Sequence, residues 1–176
     1  MKAALLAAAL CAFPAAAGWE GTLTISQPGG KPVEGRIRVQ GGKVRLEQSV
    51  FGRAVVTVYD APGKRLLQLD PVKRTFSERP MPTPRGPPSC AGDVEPCLRA
   101  LGFEKEPGGE TVAGHPCSLW RRGSAERLWR ADDVQGELAF LRQETGAVRV
   151  DVRAFRVAAQ PDGAFTPPPG WKRAAR

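Results

Sequence analysis

The sequence has little of the side-chain chemistry on which most enzymes depend. Its 176 residues include one histidine, His115, which stands between Gly114 and Pro116. No G-x-S-x-G motif and no known cysteine-plus-base spacing accompanies it. The two Gly-Gly-Lys triplets lack the P-loop spacing, and Asp132-Asp133 lacks the glycine and later glutamate of a calcium loop. We therefore expect a protein that is not an enzyme, that has no cofactor and that carries no metal.

The sequence also lacks a long hydrophobic run. Ala3–Leu10 is apolar but too short to span a bilayer. Lys2 before it and the small residues 15–17 after it complete the pattern of a secretory signal peptide, so we expect residues 1–17 to be removed. A lipid on Cys11 is disfavoured because the preceding residue, Leu10, is bulky, and a buried core helix is the remaining alternative. Residues 18–176 then form one domain by length, in the bacterial periplasm.

Acidic residues are fewer than lysines and arginines, and the formal net charge is +8. Such an excess suggests nucleic acid or a membrane surface as a partner. Export argues against nucleic acid and leaves an anionic membrane surface or an acidic polymer. A solvated basic surface with no partner is the simpler alternative.

Few cysteines remain in the exported chain: Cys90, Cys97 and Cys117. In an oxidising compartment they predict one disulfide and one leftover thiol. We favour Cys90–Cys97, because both lie in one irregular segment, while Cys117 lies in a strand pattern and can be a small buried hydrophobe. A metal site at His115 and Cys117 is disfavoured because H-x-C lacks the usual ligand spacing.

Residues 36–48, RIRVQGGKVRLEQ, predict a tight hairpin. Two alternating runs flank Gly41-Gly42, a pair that suits a two-residue turn with positive φ at both positions. One face is then apolar and consists of Ile37, Val39, Val44 and Leu46. On the other face Arg38 lies opposite Arg45, which normally destabilises a strand pair. We expect a screened outer surface with Glu47 offsetting the repulsion or, alternatively, contact of this arginine pair with an anionic headgroup.

Most other segments alternate in the manner of strands. Ala54–Asp60 and Arg65–Asp70 are apolar on both faces, which predicts cover on both sides. Val148–Val157 changes its apolar parity near Phe155, which predicts a bulge. Val134–Arg142 is compatible with helix or strand. The remaining predicted strands are Trp19–Ser26, Val33–Gln40, Lys43–Ser49, Arg74–Ser77, Glu110–Ala113, Cys117–Arg121 and Glu126–Ala131.

Three further segments do not read as sheet. Asp93–Leu101 predicts a helix, with Asp93 as N-cap and Gly102 at the C-terminus. Glu78–Ser89 is proline-rich and predicts a loop or an extended segment that covers the sheet. Phe165–Trp171 predicts an extended tail anchored by aromatic residues.

Six short motifs are spread over most of the chain: GKVRLE (42–47), VYD (58–60), L-Q-L-D-P-x-K-x-T-F (67–76), ETVAGHPC (110–117), RLW (127–129) and FTPPPGW (165–171). With the order of elements, they resemble the LolA/LolB-like superfamily of periplasmic lipoprotein and lipid carriers, and most closely a family of secreted bacterial proteins within it. The resemblance implies a curved antiparallel sheet, an incomplete β-barrel whose apolar cavity holds acyl chains. Here the lid would be a short helix and a proline-rich segment, so the fold expected is mostly β with minor α.

The pattern and the resemblance together predict a binding surface. The expected ligand-lining residues are Ile37, Val39, Val44, Leu46, Leu67 and Leu69, with Trp120 and Trp129 at the rim or wall. The function expected is a non-enzymatic carrier or binding protein for an acyl chain, a lipid or a lipidated partner such as a lipoprotein. The alternative is a structural or interaction protein of the cell envelope whose core is packed and holds no ligand.

Overall fold

The computed structural model describes residues 18–81, 88–161 and 163–174, and most of them lie in β-strands. The predicted signal peptide and residues 82–87 of the predicted proline-rich loop fall outside the described residues. The strands are β1 (Trp19–Ser26), β2 (Val33–Gln40), β3 (Lys43–Val50), β4 (Arg53–Asp60), β5 (Arg65–Asp70), β6 (Thr75–Pro80), β7 (Ala91–Gly92), β8 (Glu104–Val112), β9 (His115–Arg122), β10 (Glu126–Ala131), β11 (Gly136–Glu137), β12 (Phe140–Thr145), β13 (Val148–Val157) and β14 (Lys172–Arg173). One helix, α1 (Val94–Ala100), is present among the described residues. No helix in those ranges is long and apolar enough to cross a membrane.

The strands form one large curved sheet, in the order β14-β6-β5-β4-β3-β2-β1-β13-β12-β10-β9-β8, and β7 pairs with β11 separately. Every neighbouring pair in the large sheet is antiparallel except β14 with β6. The sheet is not closed into a barrel, so it is an open half-barrel. The predicted fold class is therefore confirmed.

The β2–β3 hairpin has the predicted register. Gly41 and Gly42 both have positive φ, at 62° and 68°, and Arg38 is paired with Arg45. We call the face that carries Ile37 and Val44 the inner face, and the face that carries Arg38 and Arg45 the outer face. The main hydrophobic core lies against the inner face.

Helix α1 packs on this core through Val94 and Leu98. Asp93 precedes it in an extended conformation but makes no side-chain capping bond. Gly102 ends the helix with a φ of 83°, as expected of a C-terminal glycine. The predicted Cys90–Cys97 disulfide is present and ties the helix to the segment before it. Cys117 is a free, buried thiol, also as predicted.

The predicted bulge lies at Ala154 and Phe155 of β13. Against β1, Arg156 pairs with Glu20 and Arg153 with Thr22, so two residues of β13 stand opposite Gly21. Ala154 takes a positive φ of 46°. The bulge brings Phe155 to the Trp19 ring, with 5.4 Å between the ring centroids.

Residues 134–142, whose sequence is compatible with helix or strand, form two strands, β11 and the start of β12. Between them Leu138 donates its backbone N–H to the Cys90 carbonyl. Two boundaries differ from the prediction. Strand β8 begins at Glu104 and accommodates Pro107 through a register irregularity between Lys105 and Gly109. Strand β6 extends to Pro80, which is tolerated because β14 pairs with β6 only at its other end.

A second, smaller apolar cluster lies on the outer face of β4 and β5. It consists of Val56, Val58, Leu67 and Leu69. The C-terminal residues 163–174, here called the strap, cross it, and Phe165 and Trp171 pack against it. The outer face of β4 and β5 is therefore covered, and the tail is anchored by aromatic residues as predicted. The inner face is covered at Tyr59 and Leu66 but exposed at Gln68, so the predicted cover on both sides holds for only part of these strands.

Candidate functional site

The hairpin residues predicted to line a ligand site are packed into the main core. Ile37, Val39 and Val44 expose 0, 2 and 1% of their surface. Leu46 is partly buried and packs against the same cluster. In the structure as described, Ile37, Val39 and Val44 therefore offer no free surface to a ligand. Their role in binding stays a prediction that would require the core to open.

Leu67 and Leu69 do not share that surface, and the prediction that they do is wrong. Val44 pairs with Tyr59, which pairs with Leu66. Side chains alternate between the faces of a strand, so Leu66 is on the inner face and Leu67 is on the outer face. The four residues between Asp60 and Arg65 set this register, which the apolar content of β5 does not reveal.

The two tryptophans lie on opposite faces of β10 and its neighbour. Trp120 pairs with Leu128, so the adjacent residue Trp129 points the other way. Trp120 is fully buried beneath the guanidinium of Arg99, which lies 5.6 Å from its ring centroid. Trp129 is covered by Arg142, at 5.3 Å. Both are core residues, so neither forms an open rim.

The paired arginines of the hairpin are neutralised within the sheet. Arg38 binds Glu20 and Glu47, and Arg45 binds Glu47 at 2.8 Å. Arg45 also donates to the backbone carbonyl of Ala164 in the strap, at 2.9 Å. The arginine pair is therefore not unneutralised, because carboxylates and the strap occupy these guanidinium groups. The arrangement of charges fits the alternative in which Glu47 offsets the repulsion, and contact of the pair with an anionic headgroup stays a prediction.

A groove of about 850 Å³ lies at the end of the sheet where β3 turns into β4 and β5 turns into β6. Val55, Gln68 and Ser77 line it from three adjacent strands. The turn residues Val72 and Lys73 form one side. Leu69, Phe76 and Ala174 also line it, so the groove adjoins the strap and the second apolar cluster. We call it the rim groove.

Two apolar side chains project from the turns beside the rim groove. Phe51 is 102% exposed and Val72 is 80% exposed. Phe51 also has a positive φ of 52°, which is unusual for a bulky residue and costs conformational energy. Phe51 therefore combines an exposed aromatic ring with an unfavourable backbone conformation, which the two-residue turn between β3 and β4 imposes on it together with Gly52.

Basic residues surround these exposed side chains. Arg53, Lys73 and Arg74 lie in or beside the same two turns, and none of them forms an ion pair with a described residue. The nearby carboxylate of Asp70 accepts bonds from the backbone N–H groups of Val72 and Lys73, at 3.0 and 2.9 Å. This end of the sheet thus presents two exposed apolar side chains with basic side chains around them.

Among the described residues, His115, Ser118 and Cys117 lie close together in sequence but make separate contacts. His115 contacts Asp133 through Nδ1 at 2.7 Å, and Ser118 donates to Asp132 rather than to the histidine. Burial, with the nearby acidic residues, raises the pKa of the Cys117 thiol to about 11, so it is a poor nucleophile at neutral pH. Among the described residues no group of three or more His, Cys, Asp or Glu is placed to hold a metal ion.

Comparison with known proteins identifies the fold only. No protein-family model and no curated protein sequence matches the chain. The structure is similar to an uncharacterised conserved protein from Thermus thermophilus, with a TM-score of 0.58, 12% identity and coverage of 92% of this chain and 91% of that one. It is similar to PNGF-II, with a TM-score of 0.55, 11% identity and coverage of 90% of this chain but only 31% of the other. A LolA superfamily protein from Nitrosomonas europaea aligns with a TM-score of 0.46 and 12% identity, over 88% and 91% of the two chains.

Sequence reasoning missed the rim groove and its exposed tips. One local signal was present: in S-V-F-G-R a two-residue turn between strands contains phenylalanine, where asparagine or glycine is usual. Val72 follows Asp70-Pro71 in a turn, where an apolar residue has no neighbour to pack against. No local sequence pattern could predict that Ala174 lines the groove, because the strap that carries it comes from a distant part of the chain.

Proposed function

We propose that this protein is a non-enzymatic carrier or binding protein of the cell envelope that takes up an acyl chain of a lipid or a lipidated partner in the rim groove. The observation that carries the proposal is the groove itself, which opens between two turns that display Phe51 and Val72 to solvent. A volume of about 850 Å³ is within the range of small-molecule sites, roughly 300–1,000 Å³.

The surroundings of the groove support a lipid surface as the place of uptake. An exposed aromatic ring and an exposed valine can enter the apolar layer of a membrane. Arg53 and Lys73 beside them can bind anionic headgroups, each basic residue contributing about 1 kcal/mol near such a surface. The Cys90–Cys97 disulfide is consistent with an oxidising compartment such as the periplasm.

Uptake of an acyl chain is tested with a fluorescent fatty acid. The wild-type protein is expected to bind the probe, and Gln68→Trp is expected to weaken binding at least fivefold because the indole fills the groove. Gln135→Trp is the matched control, since Gln135 is exposed in a loop outside the groove. Equal binding by the two variants would place the probe elsewhere.

Docking is tested by flotation with vesicles of phosphatidylglycerol or phosphatidylcholine. We expect binding to the anionic vesicles, a loss with Phe51→Ser and a loss with Lys73→Gln. The control variants are Val157→Ser and Lys64→Gln, which change an exposed valine and a lysine away from the groove. If Val157→Ser lowers binding as much as Phe51→Ser, the exposed tip is not the docking element.

A second candidate function rests on a different observation. The residues expected to line the cavity are packed, with Ile37 and Trp120 both at 0% exposure. A core of that kind suits a structural or interaction protein of the envelope that holds no ligand. A wild-type protein that neither takes up the fatty acid nor floats with vesicles would favour this candidate.

A further inference from the structure

The strap covers an apolar surface that is separate from the main core. Val58 and Leu67 beneath it expose 0 and 1% of their surface. Their cluster includes no residue of the main core, and Phe165 and Trp171 of the strap pack against it. The strap can therefore leave without removing a side chain from the main core.

Few polar contacts hold the strap in place. Strand β14 has two residues, and the backbone N–H groups of Lys172 and Ala174 donate to Arg74 and Phe76 at 3.1 and 2.8 Å. Arg45 binds the Ala164 carbonyl, and Arg173 forms an exposed ion pair with Glu78 at 3.2 Å. Exposed ion pairs contribute little, about 0–1 kcal/mol. Three consecutive prolines, residues 167–169, prevent the strap from pairing along its length as a strand.

The strap also forms part of the rim groove. Ala174 lines the groove, and so do Thr75 and Phe76, the residues of β6 that pair with β14. Leu69 belongs both to the groove lining and to the cluster beneath the strap. Departure of the strap would thus remove the part of the groove that Ala174 forms and uncover Leu69, which the groove shares with the cluster.

We infer that the strap is a movable wall of the rim groove: it opens as a unit while the main core stays folded, and an acyl chain bound in the groove holds it closed. The inference rests on the proposed function for its ligand but not for the opening itself. Local opening of weakly held segments, at a free energy below that of global unfolding, is a general property of folded proteins. Because coupling is reciprocal, a ligand that needs the closed wall must also stabilise it.

Opening is measured by thiol labelling in native buffer without a reductant. Val58→Cys places a thiol under the strap, and the native Cys117 is an internal control in the main core. The raised pKa of Cys117 by itself slows its reaction, so the deciding comparison is made within each thiol. We expect Trp171→Ala to accelerate labelling of the introduced thiol at least tenfold and to leave the rate at Cys117 unchanged. Trp171→Phe should restore most of the protection. If Val58→Cys folds poorly, Val56→Cys in the same cluster replaces it.

Equal acceleration of the two thiols by Trp171→Ala would overturn the inference, because the cluster would then be exposed only by global unfolding. A fast reaction that Trp171→Ala does not change would also overturn it, because the strap would not be the barrier. A Thr75→Cys/Lys172→Cys pair, in register on neighbouring strands, should protect the cluster when oxidised, compared with Thr75→Ser/Lys172→Ser.

The fluorescent fatty acid separates the two proposals. We expect a saturating concentration to slow labelling at position 58 at least fivefold and to leave Cys117 unchanged. Binding of the probe with no effect at position 58 would overturn the coupling. Absence of probe binding would overturn the proposed function, and the labelling comparison without probe would still decide whether the strap opens.

Discussion

Arg38 and Arg45 face each other across the β2–β3 hairpin, and both guanidinium groups bind the same carboxylate oxygen, Oε1 of Glu47, at 3.2 and 2.8 Å. On the other side Arg38 binds Glu20, which also binds Arg156. Charges of opposite sign therefore alternate across four adjacent strands, β13, β1, β2 and β3. The hydrogen bond from Arg156, with the other bonds and charges around it, holds the pKa of Glu20 below its usual value.

Removal of the shared carboxylate should expose the repulsion that it offsets. We expect Glu47→Gln to lower the free energy of unfolding by about 1 kcal/mol at low salt, because the three side chains are only partly screened by water. In 1 M salt the loss should largely disappear. Urea unfolding at the two ionic strengths measures both values. Glu34→Gln is the control, since Glu34 is on the same face and forms no ion pair with the described residues; an equal loss there would contradict the prediction.

The local part of the fold could be predicted from the sequence, and the long-range part could not. The register at Arg38 and Arg45 follows from one two-residue turn between alternating strands. The assignment of Leu67 to the inner face failed because both faces of β5 are apolar, so only the path of the preceding turn decides which leucine points inward. One lining residue of the rim groove, Ala174, comes from a segment distant in sequence that Arg45 and Trp171 hold on the outer face.

A buried carboxylate supports the turn of the same hairpin. Glu137 is fully buried and accepts hydrogen bonds from the backbone N–H groups of Gly41 and Gly42. Burial raises its pKa above 4.5, although the two backbone bonds act in the opposite direction. The folded protein therefore binds this proton more tightly than the unfolded chain does. The resulting stabilisation is complete below the unfolded pKa, near 4.5, and is lost as the pH rises through the higher folded pKa.

Glu137→Gln removes this titration. The stability of the wild type relative to this variant should fall between pH about 4.5 and the raised pKa and stay constant above it. The comparison is needed because Glu20 and Glu95, whose pKa values are lowered by bonds from Arg156 and Lys105, change stability in the opposite sense at lower pH. Urea midpoints of both proteins from pH 4 to 8 measure the difference. A difference that does not vary with pH would show that Glu137 has the same pKa in both states.

The disulfide should stabilise the helix and the segment that pairs with β11. We expect Cys90→Ala/Cys97→Ala to lower the free energy of unfolding by about 2–3 kcal/mol, since the bond closes a short loop. Cys117→Ala is the control for loss of a buried thiol that forms no bond. Urea unfolding measures the stability, and a peptide map of the unreduced protein checks the pairing. A Cys97–Cys117 link in that map would contradict the structure.

Leu67→Ala distinguishes a packed cover from a ligand wall. Leu67, on β5, is buried beneath the strap beside Val58 of β4, so its truncation should leave a cavity and lower the free energy of unfolding by about 2–5 kcal/mol. It does not line the rim groove, so affinity for the fluorescent fatty acid should change less than twofold. Gln68→Trp, at the next residue, should weaken binding of the fatty acid and leave the free energy of unfolding nearly unchanged, because Gln68 is exposed and lines the groove. Unfolding and probe binding are measured on both variants. A Leu67→Ala protein that keeps its stability and loses the probe would place the acyl chain under the strap instead of in the rim groove.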